Sequence, residues 1–273
     1  MEEQKKANEE ADAAQRSAPS GKVVYKAILQ EGEEELSRAS SALFWSGLAA
    51  GLSMGFSMIA EGLLSAYLPD AHWRPLVSKF GYSAGFLIVI LGRQQLFTEN
   101  TLTPILPLLQ KKEGANLANV LRLWVIVLLV NLVGALIVAW VAARTTAFNP
   151  DVQEAFAAIG TKALEHDFGT VLLRGIFAGW LIALMVWLLP FAETGRVWVI
   201  ILITYLVGLG EFSHIIAGAV ETFTVAAMDR ASWLGVFGGY ALPTLMGNIL
   251  GGVTLVATLN HAQVVSGGGG QDI

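Results

Sequence analysis

"GRQQLFTENTLTP" runs from Gly92 to Pro104. Before it lies "GYSAGFLIVIL" and soon after it "ILPLL", both apolar enough for the inside of a membrane. The insert carries an arginine, two glutamines, a glutamate, an asparagine, three threonines and a proline. Polar, non-helical backbone survives at membrane depth only where it is buried in protein or lines a cavity. The insert therefore predicts a re-entrant loop aimed at a central pathway. A cytoplasmic loop between two short helices is the competing reading. Against it, "GYSAGFLIVIL" and "TLTPILPLL" are each too short to cross a bilayer alone.

The rest of the chain supplies the membrane context. Of 273 residues, 54% are hydrophobic and 14% charged, against about 25% charged in a soluble domain. Residues 1–38 hold nine acids and six bases, which leaves 13 acids and 11 bases over the remaining 235 residues. The net charge of −5 gives no nucleic-acid signal. The start, "MEEQKKANEEADAAQ", lacks the basic and apolar regions of a cleaved signal, so the first span is expected to be uncleaved. There is no cysteine, which excludes disulfides and thiolate chemistry.

The expected organisation is all-α. Residues 1–38 form a cytoplasmic N-terminal tail: 1–21 disordered, and 22–38 an amphipathic helix at the membrane surface or a solvated segment. Residues 39–260 form the transmembrane domain, and 261–273 a flexible C-terminal tail. Continuous spans are expected at about 41–60, 119–143, 169–191 and 235–259. Two broken spans cover about 79–109 and 196–228, the second interrupted at "GEFSH". Six spans put both termini on one side. Ten Lys and Arg residues then face the N-terminal side and six the other, which places both termini in the cytoplasm. The tryptophans fall near span ends and read as interfacial anchors.

The chain also repeats itself. "GLAAG" (Gly47–Gly51) echoes "GIFAG" (Gly175–Gly179), and "NLVGA" (Asn131–Ala135) echoes "NILGG" (Asn248–Gly252). Thr98 precedes Asn131 by 33 residues, and His214 precedes Asn248 by 34, so the two breaks fall at matching places. Three spans per half is an odd number, so the second half is inverted relative to the first. Inverted repeats with a broken helix in each half bring helix ends to the midplane, where a solute is handled. Thr103 is expected to cap the restarted helix with Pro104 at its first position.

His214 is the only histidine within an expected span, and an intramembrane ionisable residue is a functional candidate by default. A hydrogen-bonded packing histidine is the plainer alternative. The candidate pathway residues are His214, Thr98, Leu96, Phe97 and Ser213. Glu99, Asn100, Thr101, Arg93 and Glu211 are candidate supports. Glu99 is expected to pair with Arg93 or to sit outside the lumen. Gly47, Gly51 and Gly55, like Gly247 and Gly251, allow close helix contact, within one subunit or between subunits.

Through "LFTENT", "NLVGA", "GIFAGW", "FSHIIAG" and "PTLMGNILGG", in that order over residues 40–260, the chain resembles the formate/nitrite transporter family, and closely its YfdC-like branch. The resemblance implies a homopentamer of aquaporin-like protomers, each with a pore for a small monovalent anion. It also implies that Leu96, Phe97 and Thr98 form the inner gate and that His214 is the central pore histidine. The chain departs from the family's formate channels at four places. Ser213 replaces an acid, Gly218 and Gly179 replace asparagines, and the vestibule lysine has only Lys162 as a neighbour.

A bare carboxylate-sized anion in a low-dielectric interior costs about 20 kcal/mol before compensation; a neutral hydrogen-bonding molecule costs a few. Leu96 and Phe97 would oppose the bare anion. The expected solution is helix N-termini with His214 as donor and transient proton partner, the anion crossing as its neutral acid. A channel for small neutral solutes is the alternative function. An enzyme is not expected, since no metal-ligand pair, nucleophile elbow or phosphate loop is present. No cofactor is expected; membrane lipid and further copies of the chain are the expected partners.

Overall fold

The structure is a computed structural model that describes residues 19–110 and 114–266. The expected disorder of residues 1–18 and the glycine-rich end beyond residue 266 lie outside the described residues. Among the described residues, ten α-helices follow in order. They are α1 (Gly21–Ser37), α2 (Ser40–Tyr67), α3 (Arg74–Leu91), α4 (Ile105–Gln110) and α5 (Gly114–Arg144), then α6 (Pro150–Ala163), α7 (Phe168–Phe191), α8 (Arg196–Leu209), α9 (Ile215–Ala227) and α10 (Trp233–Gln263).

Five of these, α2, α3, α5, α7 and α10, are long and apolar enough to cross a membrane. Between them stand α8 and α9, of 14 and 13 residues, separated by Gly210–His214. The chain leaves α-helix between Leu91 and Ile105, and α3 is longer than the sequence suggests. It starts at Arg74, with Pro75 in its first turn, and runs through a 3₁₀ turn at Lys79–Tyr82 into Leu91. Its 18 residues correct the view that the segment before the insert is too short. The extension is anchored where Lys79 meets Glu61 on α2 at 2.5 Å.

Local chemistry sets the helix starts. Asn149 caps α6, accepting from the Val152 N–H at 3.0 Å, with Pro150 following. Asp167 caps α7, and bonds from the Thr170 hydroxyl and backbone hold its carboxyl below the usual range. In α10 the ladder widens into π-helical turns at Val236–Ala241 and Leu250–Thr258, a feature common near functional sites.

Helix α2 packs along α5, and α7 along α10. The glycine ladders explain how close these pairs come. A Cβ at Gly51 would stand 2.8 Å from Asn131 Cα, and one at Gly179 2.6 Å from Asn248 Cα. Gly55 faces Val138 and Gly247 faces Gly175. Both ladders therefore serve packing within one chain.

The amphipathic helix α1 does not stand apart from the protein. Tyr25, Ile28, Leu29 and Leu36 recur at helical spacing and are all buried, against α4, α5 and the end of α10. Tyr25 pairs through its hydroxyl with His261 Nδ1 at 2.8 Å. An apolar stripe this continuous packs against protein, and the opposite face of α1 stays exposed.

Candidate functional site

The two breaks are built alike. Helix α3 ends with Gly92, then Arg93 at φ 52°; α8 ends with Gly210, then Glu211 at φ 53°. In each case a chain reversal closes the helix: Gln94 N–H donates to Val89 O at 2.9 Å, and Phe212 N–H to Val207 O at 3.0 Å. A left-handed residue that is not glycine costs about 1–2 kcal/mol, so both turns are over-determined by their surroundings.

What over-determines them is a pair of buried asparagines. Asn131 on α5 accepts from Phe97 N–H at 2.9 Å and donates to Gly47 O at 2.7 Å and Gln95 O at 2.9 Å. Asn248 on α10 accepts from Ile215 N–H at 2.9 Å and donates to Gly175 O at 2.9 Å and Ser213 O at 2.8 Å. Each amide thus joins a glycine carbonyl on a long helix to two groups of the break. Sequence reasoning used these asparagines only as repeat markers; their near-equal offsets of 39 residues from Gly92 and 38 from Gly210 were the available signal.

These bonds correct the register. They align Gln95 with Ser213, Leu96 with His214 and Phe97 with Ile215. Thr98 is therefore not the counterpart of His214. It is its contact: Thr98 Oγ1 lies 2.8 Å from His214 Nε2, and both side chains are fully buried. His214 also caps α9, its Nδ1 accepting from Ala217 N–H at 3.1 Å. With Nδ1 occupied as an acceptor, the network puts the ring proton on Nε2, directed at Thr98. The Phe86 ring packs edge-on to the imidazole, with centroids 5.0 Å apart.

The first break starts exposed at Gly92 and Arg93 and then turns inward: Leu96, Phe97, Thr98, Asn100, Thr101 and Thr103 are all inaccessible or nearly so. Thr101 donates to Thr98 O at 2.8 Å, and Asn100 Nδ2 to Gln95 Oε1 at 2.9 Å. Trp124 donates its indole N–H to Asn100 O at 2.8 Å and packs edge-on to Phe97, so this tryptophan braces the loop instead of anchoring at an interface. The expected cap does not form. Thr103 points its hydroxyl at Asn100 Oδ1, 3.4 Å away, and α4 begins after Pro104.

Two cavities approach this constriction. One, of about 700 Å³, is lined by Glu31, Glu35, Arg93, Gln95, Glu99 and Asn100, among others. There Arg93 pairs with Glu31 at 3.3 Å, not with Glu99; α1 reaches the arginine first. Gln95 donates to Glu35 at 2.7 Å, and burial holds that carboxyl above its usual range despite Arg38 nearby. The other cavity, of about 520 Å³, is lined by Glu61, Lys79, Tyr82, Glu211, Ser213, Glu221 and Tyr240, with Lys162 and Arg174 at its wall. Glu211 turns away from His214 to pair with Lys162 and, at 3.6 Å, with Arg174. Gly218 leaves a notch that the Tyr240 hydroxyl occupies. Among the described residues no group of histidines and acids could hold a metal ion.

The sequence profile of the formate/nitrite transporter family matches residues 22–262. The chain belongs to the formate/nitrite transporter family. Among its relatives, "Inner membrane protein YfdC" of Escherichia coli (strain K12) is 42% identical over 241 residues, 88% of this chain and 78% of that protein. The "Formate channel BtFdhC" of Bacillus thuringiensis is 24% identical over 84% of this chain and 89% of its own. Two solved structures share the fold. A "Pentameric formate channel with formate bound" superposes with a TM-score of 0.68 at 20% identity, over 90% of this chain and 100% of that one. An "FNT family ion channel" superposes with 0.74 at 19% identity, over 89% and 99%. Family membership makes this chain a multi-pass membrane transport protein and not an enzyme.

Proposed function

We propose that this formate/nitrite transporter family member passes a small monovalent anion of a weak acid, formate or nitrite in kind, through a pore in each protomer. The observation that carries the reading is the fully buried His214–Thr98 contact standing between two cavities. The imidazole offers a fixed N–H at the N-terminus of α9, where the helix dipole also favours negative charge. Leu96 and Phe97 keep the same place dry, so a bare anion is opposed and its neutral acid admitted. Crossing is therefore linked to a proton, with His214 as the donor that orients the solute.

The architecture behind this reading is six spans in an inverted three-plus-three repeat of aquaporin-like form. Helix α3 with α4, and α8 with α9, are its two broken members. The matched asparagine brackets support it. Residues 1–38 then lie with both termini in the cytoplasm, and the chain sits in the inner membrane, as the name of its Escherichia coli relative says of that protein.

Charge in the second cavity favours one runner-up. Glu61, Asp151, Glu154, Glu211 and Glu221 share its walls with Arg74, Lys79, Lys162 and Arg174. That is no positive funnel, and a pore for small neutral solutes would suit it. Uptake into proteoliposomes of formate, nitrite, lactate, acetate, hydrosulfide, chloride and glycerol separates the two. Glycerol without any anion would overturn the anion reading.

Thr98→Val keeps shape and removes the partner of His214 Nε2. Loss of one such bond costs about 1–3 kcal/mol, so formate uptake is expected to fall roughly 10-fold in protein that elutes normally on gel filtration. Unchanged uptake would return residues 96–101 to ordinary loop.

The homopentamer rests on the family and on one face of α5. Leu121, Val125, Leu129 and Val133 form a four-residue ladder, each at least half exposed, which lipid or another copy must cover. Native mass spectrometry is expected to find five chains per particle. A monomer or trimer that still transports would remove the pentamer and leave the pore standing.

A further inference from the structure

One acid on α9 has no part in the pathway described so far. Glu221 stands two turns beyond His214, is 8% exposed, and lines the second cavity together with Ser213 and Tyr240. Across from it, α2 contributes Glu61, which is 2% exposed, and α3 contributes Lys79. Glu61 Oε1 meets Lys79 Nζ at 2.5 Å, while Glu61 Oε2 is buried with no hydrogen-bond partner. Two buried carboxyls and one ammonium thus line the same cavity. With all three ionised, the cluster carries an unbalanced negative charge in a place largely removed from water, which is costly. A single proton balances it.

The remaining charged groups of this cavity are engaged elsewhere. Glu211 is taken by Lys162 and Arg174, Arg174 also meets His166, Glu154 holds Arg230, and Arg74 pairs with Asp70. Asp151 lies in the first turn of α6. The lining contributed by α10 is Tyr240, with Tyr82 beside Lys79 on α3, and α5 contributes none. His214 holds a single proton on Nε2, and taking up a second on Nδ1 would break the bond from Ala217 N–H that caps α9.

We propose that the Glu221 carboxyl, balanced by Glu61 and Lys79, is the group that gives the incoming anion its proton before the His214–Thr98 constriction. The inference rests on the weak-acid reading above. In the step, the Glu221 O–H bond breaks and its electron pair stays on the Glu221 oxygen. A new O–H bond forms on an oxygen of the anion, and the neutral acid moves on past His214. Glu221 regains a proton from cavity water, and the acid loses its own to water in the other cavity. One anion and one proton therefore cross together.

The test is formate uptake into proteoliposomes with a trapped pH dye, at external pH from about 7.5 down to about 5.5, within the range where proteins tend to be most stable. Wild-type uptake is expected to rise as pH falls, with protons arriving alongside. Glu221→Gln keeps the shape but cannot give up a proton. It is expected to lower uptake at the acid end on the order of 100-fold, the scale of a lost general acid, and to flatten the profile. Lys79→Gln removes the ammonium, so the carboxyls hold their proton more tightly and the profile moves to higher pH by about one unit. A Glu221→Gln protein with the wild-type rise, or with an equal loss at every pH, overturns the assignment. Should Glu221→Gln fail to assemble, the Lys79→Gln profile decides: a shift supports the proposal and an unmoved profile overturns it. Wild-type vesicles that take up no anion would sink the weak-acid reading itself, a result distinguishable from a Glu221 failure.

Discussion

Replacing His214 by phenylalanine is expected to abolish nearly all formate uptake in protein that still assembles. The ring loses the N–H aimed at Thr98 and the acceptor that caps α9. Removing one preorganised donor from a dry site typically costs about 100- to 1,000-fold in rate, and losing a cap about 1 kcal/mol in stability, so flux should suffer far more than folding. His214→Asn separates the two roles. Asparagine caps helices well and keeps a donor, so much of the assembly and part of the flux should return. Its pH profile carries further information. A profile that still rises in acid leaves the proton with Glu221, whereas a flat one moves it to the imidazole. Assembled His214→Phe protein with wild-type uptake would make His214 a packing residue.

The second large effect is on stability. Asn248→Leu strands the buried Ile215 N–H and Ser213 carbonyl and removes a second bond from Gly175 O, which the helix already engages. Each unsatisfied group costs about 1–3 kcal/mol, and the sum is a large share of the whole stability of many domains. Asn131→Leu strands Phe97 N–H and Gln95 O in the same way. Both variants are expected to be recovered poorly and to unfold far below the wild type in a thermal scan in detergent. An unchanged transition in either would mean that its break holds itself together.

The long apolar helices were legible because apolar runs are composition, which sequence displays directly. The register was not. Polar side chains invited the pairing of Thr98 with His214, but backbone groups set the correspondence, and a backbone bond leaves no residue type behind. It is Leu96 that the bonds place opposite His214. The partner of Arg93 was hidden for a related reason. Glu31 lies 62 residues away on α1, and nothing local announces that this helix folds under the first break. Glu61 and Lys79 likewise belong to separate helices whose meeting is a tertiary event. Trp124 looked like its seven fellows; only packing shows that it holds Asn100.

The two asparagine brackets are near copies, yet one presents Leu96 and the other His214. In the proposed pore, a solute entering by the Ser213 side would meet its hydrogen-bond donor on arrival, and one entering by the Gln95 side would first pass aliphatic and aromatic walls. Such a free-energy profile is lopsided. A passive path cannot use lopsidedness to accumulate anything, because its end points are fixed by the two solutions. It does make saturation unequal. The half-saturating concentration and the susceptibility to blockers should differ between the two faces, so vesicles with the protein inserted in opposite senses should rectify at high solute and behave alike at low.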